Sequence, residues 1–286
     1  MRGAHPRVVL GLHRSRHERR LLTGALDLGV TSIDTSTNYL GSRSHTVLAR
    51  TAGDLLPRLT VSTKVGYFPG PERSEHSLEP VRLYEAVEKA AQDLGREPDL
   101  VFLHNPEHSL RDSGGHGRDA LAQACTALDD AASKGLCGAW GVSSWDPYPL
   151  IGLVDSTTPR PSILMARAGL LVGVRTLDAV DALTAAWGLG SGSVWGMSPF
   201  GGSTGDPVWD RIDPRMFLRN GDGFSRTQAA FRAAYCLPRA VGTLAVGTDE
   251  PAHLAELLDA LAAEADEETI HEYRALLRKC SSGQPA

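Results

Sequence analysis

The sequence predicts an α/β fold in one domain, a (β/α)8 TIM barrel over residues 1–286. Three observations lead there. Short apolar runs alternate with amphipathic stretches of helical period, and eight runs are each followed by such a stretch, the count of a (β/α)8 barrel. The first βα turn reads His13-Arg14-Ser15-Arg16 and lacks the glycine-rich GxGxxG that a doubly wound sheet usually carries there. Polar, titratable residues also close several of the runs, at the strand C-termini where a barrel builds its active site.

Taken in order, Val8-Val9-Leu10-Gly11-Leu12 predicts a strand over 8–12 and the stretch behind it a helix over 16–29. A strand at 30–34 ends in Ile33-Asp34 and leads to a helix at 43–54. Leu59-Thr60-Val61-Ser62-Thr63-Lys64 forms strand 59–64, followed by a helix at 80–95. Asp99-Leu100-Val101-Phe102-Leu103-His104 forms strand 99–104, followed by a helix at 117–134. Strands at 138–143, 161–166, 192–197 and 242–247 come next, with helices at 147–155, 176–188, 226–236 and 250–264. A last helix over 267–279 has Glu267 and Glu268 early and Arg274, Arg278 and Lys279 late, the order that suits the helix dipole. The long loops 65–79, 104–116 and 198–225 all follow strands, so all fall on one face of the barrel. The third carries five glycines with Trp209, Met216 and Phe217, and reads as a clamp over a ligand or as a mobile surface loop.

Hydrophobic residues make up 42% of the chain, enough for a full core, and the net charge is −5 at pH 7. That balance argues against nucleic acid or a membrane surface as a partner. No apolar run reaches the length of a membrane span, and Met1-Arg2-Gly3-Ala4-His5-Pro6 leads straight into the first strand without a signal-peptide core. The expectation is a cytoplasmic protein, a monomer or small homo-oligomer. Cys125, Cys137, Cys236 and Cys280 are scattered and read as reduced, buried thiols; with no CxxC or HExxH motif, no structural metal is expected. Of 29 basic residues only Lys64, Lys89, Lys134 and Lys279 are lysines. Arginine keeps its proton inside a protein, whereas the pKa of a lysine shifts on burial. A lysine closing a buried strand therefore points to chemistry, the plainer alternative being a side chain that snorkels to solvent.

Asp34, Tyr39, Lys64 and His104 bring a carboxylate, a phenol, an amine and an imidazole to adjacent strand ends, the makings of a proton-transfer site. Ile33-Asp34-Thr35-Ser36-Thr37-Asn38-Tyr39 resembles the Asp-x4-Tyr signature of the aldo-keto reductases. Val61-Ser62-Thr63-Lys64 resembles their lysine strand, and Val101-Phe102-Leu103-His104-Asn105-Pro106 their histidine strand. Gly141-Val142-Ser143-Ser144, Trp195-Gly196-Met197-Ser198-Pro199-Phe200 and Val246-Gly247-Thr248-Asp249-Glu250-Pro251-Ala252-His253 are similar to three further segments of the family, in the same order along the chain. The resemblance implies a nicotinamide-dependent interconversion of carbonyl and alcohol. Tyr39 would pass the proton, Lys64 would lower the pKa of the phenol, Asp34 would hold Lys64 charged, and His104 would orient the carbonyl oxygen.

The resemblance also implies a cofactor site made by Ser143, Ser144, Met165, Met197, Ser198, Phe200, Gly247, Thr248, Asp249 and His253. Ser144 stands where the family commonly has an amide, Met165 where it has Gln, and Met197 where an aromatic ring stacks on the nicotinamide; a thioether still packs on a ring face. Asp249 and Glu250 occupy the turn where NADP-dependent relatives hold the 2′-phosphate. Acids repel a phosphate and accept hydrogen bonds from a ribose diol, so NAD(H) is favoured, with NADP(H) open should an arginine such as Arg219 or Arg226 reach the turn. Alternatively the two acids cap the helix that begins at Pro251. Asn38, Asn105 and Arg167 suit a small polar substrate, a sugar or a biosynthetic intermediate of secondary metabolism. The thinner nicotinamide grip motivates a second reading, a non-redox enzyme or a cofactor-sensing protein on the same barrel.

Overall fold

The computed structural model describes residues 7–70, 74–111, 114–239 and 241–282. The N-terminal stretch Met1–Pro6 lies outside the described residues, as do 71–73 of the first long loop and 112–113 of the second. Eight parallel strands close into a barrel in chain order. They are β1 (Val8–Gly11), β2 (Ser32–Asp34), β3 (Thr60–Val65), β4 (Leu100–His104), β5 (Ala139–Ser144), β6 (Ile163–Arg167), β7 (Val194–Met197) and β8 (Thr243–Val246). The predicted (β/α)8 architecture is the observed one.

The strands read as almost continuous apolar runs because both faces are covered. Outward residues such as Leu10, Ile33, Val61, Val101, Val142 and Leu244 pack under the helices in the main core. Inward residues Val9, Leu100, Phe102, Met165 and Ala245 fill the lumen, with Trp195 and Met197 against them. Gly141 makes room in that layer: a Cβ there would stand 2.8 Å from the Phe102 ring and 2.6 Å from the Ile163 carbonyl oxygen. Side chains alternate along a strand, so the same period carries Asp34, Lys64, His104, Ser143 and Met197 toward the lumen at one rim. The registers Asp34↔Ser62, Lys64↔Phe102 and His104↔Ser143 set their relative heights.

The outer layer holds α1 (Arg19–Asp27), α2 (Ser44–Ala52), α3 (Pro80–Leu94), α4 (Gly117–Ser133), α5 (Val174–Ala186), α6 (Arg226–Ala233), α7 (Pro251–Asp259) and α8 (Glu267–Ser282). Each lies within a few residues of its predicted position, except that the helix expected over 147–155 is absent. One 3-10 turn, Tyr148–Leu150, replaces it. Pro147 and Pro149 remove backbone donors, and Gly152 turns left-handed at φ 81°, so no α-helix propagates between β5 and β6. The basic end of α8 is more than a dipole partner: Arg274, 3% exposed, bonds Asp178 at 2.6 Å and Asp181 at 2.7 Å on α5. Cys125 and Cys137 are buried, but Cys236 is only partly so, and Cys280 on the last turns of α8 is exposed, a correction to the reading of all four as buried.

The 198–225 segment is not a free loop. Its 3-10 turns Pro207–Asp210 and Pro214–Phe217 start at Asp206 and Asp213, whose carboxylates accept from Val208 N and Arg215 N. Trp209 and Phe217 are buried among Leu170, Leu177 and Ile270. Only residues 201–207 form a continuous exposed stretch.

Two buried histidines make the fold acid-sensitive. Burial holds His17 and His45 down to about 4, well below the ordinary imidazole value near 6.5. Above 6.5 both are neutral folded or unfolded; between 6.5 and 4 the unfolded chain takes up protons that the folded chain refuses, so stability falls as pH falls through that window. Urea unfolding between pH 7 and pH 4.5 is expected to show this loss. His45→Gln is expected to reduce the proton uptake on unfolding at pH 5 by about one. An unchanged pH slope in that variant would mean that His45 titrates normally in the folded chain.

Candidate active site

The rim at the strand C-termini encloses a cavity of about 690 Å³. Its walls come from the turns after β1 (His13, Arg14, Ser15), β2 (Asn38, Tyr39), β3 (Tyr67), β4 (His104, Asn105), β5 (Trp145), β7 (Ser198, Pro199, Phe200) and β8 (Gly247, Thr248, Asp249), with Asp34, Lys64 and Met197 below them.

Asp34, Tyr39, Lys64 and His104 meet here. Lys64, 2% exposed, gives its ammonium to three acceptors: it pairs with Asp34 Oδ2, donates to the Thr35 carbonyl at 2.7 Å, and donates to the Tyr39 hydroxyl at 3.3 Å. Asp34 Oδ1 accepts from Ser62 Oγ at 2.9 Å, so both carboxylate oxygens are engaged. Burial pulls the Lys64 ammonium down, but Asp34 and Tyr39 outweigh it and the net shift is upward, so Lys64 is a cation at neutral pH.

Tyr39 departs from expectation. Burial raises its phenol above the ordinary value; Lys64 opposes that rise without cancelling it, and Asp34 and Tyr67 add to it. The ammonium acts in the expected direction, but desolvation of a phenolate is the larger effect. Tyr39 therefore holds its proton at neutral pH. His104 is driven well below 6.5 by burial first, then by Lys64 and the neighbouring His76, His13 and His108. Its Nδ1 shares a hydrogen bond with Ser36 Oγ at 3.1 Å, which leaves Nε2 for a ligand.

Four of the rings around this centre, His13, Tyr67, His76 and Trp145, escaped the sequence reading. His13 stands edge-on to Tyr39 at 4.9 Å between centroids, and Tyr67 stands edge-on to His104 at 4.9 Å. Tyr67 follows Gly66, whose φ of 132° turns the chain where a Cβ would lie 3.2 Å from the His104 carbonyl oxygen. That close approach lets His76, on the hairpin strand paired with Tyr67–Phe68, reach the same carbonyl at 2.8 Å. Trp145, 46% exposed, directly follows the Gly-Val-Ser-Ser turn. Two positions would have flagged these residues: the turn after β1 for His13 and Arg14, and the third residue past Lys64 for Tyr67.

The predicted cofactor residues divide. Met197, Ser198, Phe200, Gly247, Thr248 and Asp249 line the cavity. Ser143 is fully buried beneath it, and its hydroxyl has no hydrogen-bond partner. Ser144, one residue on, turns to the outer face of the strand. Met165 is 0% exposed and packs with Val9, Phe102 and Ala245, completing the apolar layer inside the barrel instead of the cavity wall. His253 is exposed on α7 and lies outside the wall.

Of the predicted substrate residues, Asn38 and Asn105 line the cavity and Arg167 does not. Asn105, held at φ 52°, donates to the Tyr67 hydroxyl at 3.3 Å and accepts from Trp145 N at 3.1 Å. Arg167 donates to the Trp145 carbonyl at 2.9 Å and to Thr176 Oγ1 at 3.2 Å, while Glu107 accepts from Trp145 N at 2.8 Å and Asp146 N at 2.9 Å. These side chains fix the turn that presents Trp145.

The acidic turn also differs from its reading. Glu250 precedes α7 without capping it. Its carboxylate takes a two-pronged pair of hydrogen bonds, 2.9 and 3.0 Å, from Arg20 on α1, which also donates to the Asp249 carbonyl at 3.3 Å. Arg219 pairs instead with Glu264 at 2.9 Å, and Arg226 donates to the Trp209 and Ile212 carbonyls.

Comparison with known proteins bears on the fold and the family. No curated protein matches the chain in sequence. Among solved structures, an aldo-keto reductase of Bacillus halodurans in its holo form is similar over 93% of this chain and 91% of its own, with a TM-score of 0.70 and 18% identity. An aldo-keto reductase of Klebsiella pneumoniae in complex with NADPH is similar over 95% and 91%, with a TM-score of 0.66 and 17% identity. Aldose reductase of Giardia lamblia is similar over 96% and 93%, with a TM-score of 0.67 and 16% identity. At such identities the likeness is one of fold. The sequence pattern described as "Aldo/keto reductase family" matches residues 13–182, more than half of the chain and the part that carries Asp34, Tyr39, Lys64 and His104. By that match the chain belongs to the aldo/keto reductase family.

Proposed function

We propose that this chain, an oxidoreductase by family and a user of a nicotinamide cofactor, interconverts a carbonyl and an alcohol on a small polar substrate with Tyr39 as the proton donor. One observation carries the reading: a charged, buried Lys64 donates to the hydroxyl of a protonated Tyr39 on the wall of the cavity. Reduction of a carbonyl leaves an alkoxide that needs a proton. Tyr39 holds one at neutral pH, and Lys64 stabilises the phenolate left behind. His104 is neutral, and in the tautomer in which Nδ1 accepts from Ser36 Oγ its Nε2–H would polarise the carbonyl oxygen without adding charge.

The residues present fit the cofactor. The orphaned Ser143 hydroxyl beneath the cavity is a polar group awaiting a partner, and the nicotinamide carboxamide is one of the right chemistry. Met197 offers a soft surface for the ring, and the Ser198–Phe200 and Gly247–Asp249 turns flank the phosphate side. The cofactor supplies the hydride when bound; the chain supplies orientation and the proton. The Klebsiella relative is described with NADPH. In this chain Arg20 neutralises Glu250, one of the two acids on which a preference for NAD(H) would rest, while Asp249 stays on the cavity wall. We infer that both dinucleotides bind, with the Arg20–Glu250 pair as the discriminator.

Tyr39→Phe is expected to keep the fold and cofactor affinity and to lower carbonyl reduction by about 10²-fold or more, the scale of losing a general acid. Turnover within twofold of wild type would remove Tyr39 from the role.

Glu250→Ala frees Arg20 beside the turn and is expected to tighten NADPH several-fold with little change for NADH, as read by fluorescence titration. Equal changes for both would show that the 2′-phosphate lies elsewhere. Binding of neither dinucleotide to wild type would favour a non-redox protein on this barrel.

Amide exchange across residues 201–207 is expected to slow at saturating cofactor, while the already packed Trp209–Phe217 stretch changes little. Unchanged exchange over 201–207 would mean that the stretch does not close on the ligand.

A further inference from the structure

The Thr35 carbonyl is one of the three acceptors of the Lys64 ammonium, at 2.7 Å. What holds that carbonyl in place lies behind the site, in the wall between the barrel and the first two helices. Thr35 Oγ1 shares a short hydrogen bond with Ser44 Oγ, on the first residue of α2. Ser44 Oγ shares another, at 2.6 Å, with His17 Nε2. His17 is itself set by its backbone N–H, which donates to Ser15 Oγ at 2.9 Å. His17 and Thr35 are 0% exposed and Ser44 is 1% exposed. On the other side, Thr35 N donates to the Ser62 carbonyl at 2.9 Å.

Three polar side chains in a dry wall are a poor way to stabilise a fold, since apolar residues of similar shape often do as well or better. Their geometry has a different consequence. Thr35 is held on both sides of its Cα, by its side chain on Ser44 and by the N–H it donates to Ser62, and its carbonyl points from that fixed position to Lys64. An ammonium with Asp34 alone would keep its charge yet pivot about the carboxylate; a second fixed acceptor restricts that pivot.

We propose that His17, Ser44 and Thr35 are positioning residues that hold the Thr35 carbonyl against Lys64 and so aim the ammonium at the Tyr39 hydroxyl. The proposal rests on the reading of Tyr39 as the proton donor. The network is uncharged, with His17 neutral at physiological pH, and puts no second cation beside Lys64. The titratable groups facing Tyr39 are Lys64, Asp34, Tyr67, His13 and His104. None of them belongs to the network, so loosening it reaches Tyr39 through Lys64.

The test uses Ser44→Ala, the rescue variant Ser44→Thr, and Thr35→Val, which keeps the shape of the side chain and removes only its hydroxyl. The first readout needs no turnover: a buried ammonium exchanges its protons slowly enough to be seen by NMR, and the chain has only four lysines to assign. Exchange at Lys64 Nζ is expected to quicken several-fold in Ser44→Ala and Thr35→Val and to return toward wild type in Ser44→Thr. The second readout is carbonyl reduction against pH. The two loss variants are expected to lower kcat several-fold at unchanged KM and to move the basic limb upward by about half a pH unit, because Tyr39 loses part of the cation that opposes its burial. Thr35→Val supplies both readouts should Ser44→Ala not fold. A network that only braces the wall would lower the melting temperature and leave ammonium exchange and the basic limb at wild-type values, and that result overturns the proposal. Quickened exchange in the two loss variants, with a wild-type chain that reduces no carbonyl, would leave His17, Ser44 and Thr35 as positioning residues for Lys64 and overturn the redox reading instead.

Discussion

The buried pair of Lys64 and Asp34 is the constraint around which the active rim is arranged. Moving an ammonium out of water costs several kcal/mol, and a single carboxylate does not satisfy its three protons. The chain after β2 is shaped to supply the rest. It turns back over the end of β3, with Thr37 N and Thr37 Oγ1 both donating to the Lys64 carbonyl, at 3.1 and 3.0 Å. That turn aims the Thr35 carbonyl and the Tyr39 hydroxyl at one nitrogen. Leu40, Gly41 and Ser42 then run left-handed, at φ 52°, 63° and 63°, to bring the chain round to α2. Left-handed backbone at non-glycine residues persists where surrounding contacts hold it, and here Arg43 closes the turn, its N and Nε donating to the Tyr39 and Leu40 carbonyls at 3.2 and 3.3 Å.

Around Lys64 the site keeps three of its imidazoles neutral. His13, His76 and His104 all sit below the ordinary imidazole value, with burial as the first cause in each; charged neighbours come next for His13 and His104, while the hydrogen bond to the His104 carbonyl partly offsets the drop at His76. A protonated imidazole near Lys64 would compete for Asp34 and raise the energy of the buried pair. Neutral rings stack edge-on instead, His13 on Tyr39 and Tyr67 on His104, and they narrow the space in front of the phenol to a slot walled by flat groups. The cavity wall carries Arg14 and Asp249 beside its hydroxyl, amide and imidazole groups.

The two halves of the rim are built differently. On the β4–β6 side, Asn105, Glu107 and Arg167 lock the turn that presents Trp145, where proline and glycine have replaced a helix by a single 3-10 turn. On the β7–β8 side, Trp209 and Phe217 anchor a long segment whose only continuous exposed stretch, 201–207, begins beside the cavity.

What the sequence determined by itself is periodic or chemical. Alternation of apolar runs with amphipathic stretches located all eight strands and eight of the nine helices expected, because burial on both faces of a barrel strand leaves no alternative composition. The scarcity of lysine singled out Lys64, and the strand period sent Asp34, Lys64 and His104 to the same rim. The tertiary structure decided everything that depends on distance across the barrel. Met165 obeys the inward period but is consumed by the apolar layer around Phe102. Arg167 looks like a ligand group in the sequence and is spent on holding Trp145, whereas Asn105 lines the cavity as well as holding that turn. Burial, which no local pattern reveals, outweighs Lys64 in setting the pKa of Tyr39. Arg20 lies 230 positions from Glu250 and yet meets it in a paired contact, because α1 and α7 are neighbours only once the barrel closes between β8 and β1. Charge in a sequence can be counted, but whether an acid is free to repel a phosphate depends on which base the fold has put beside it.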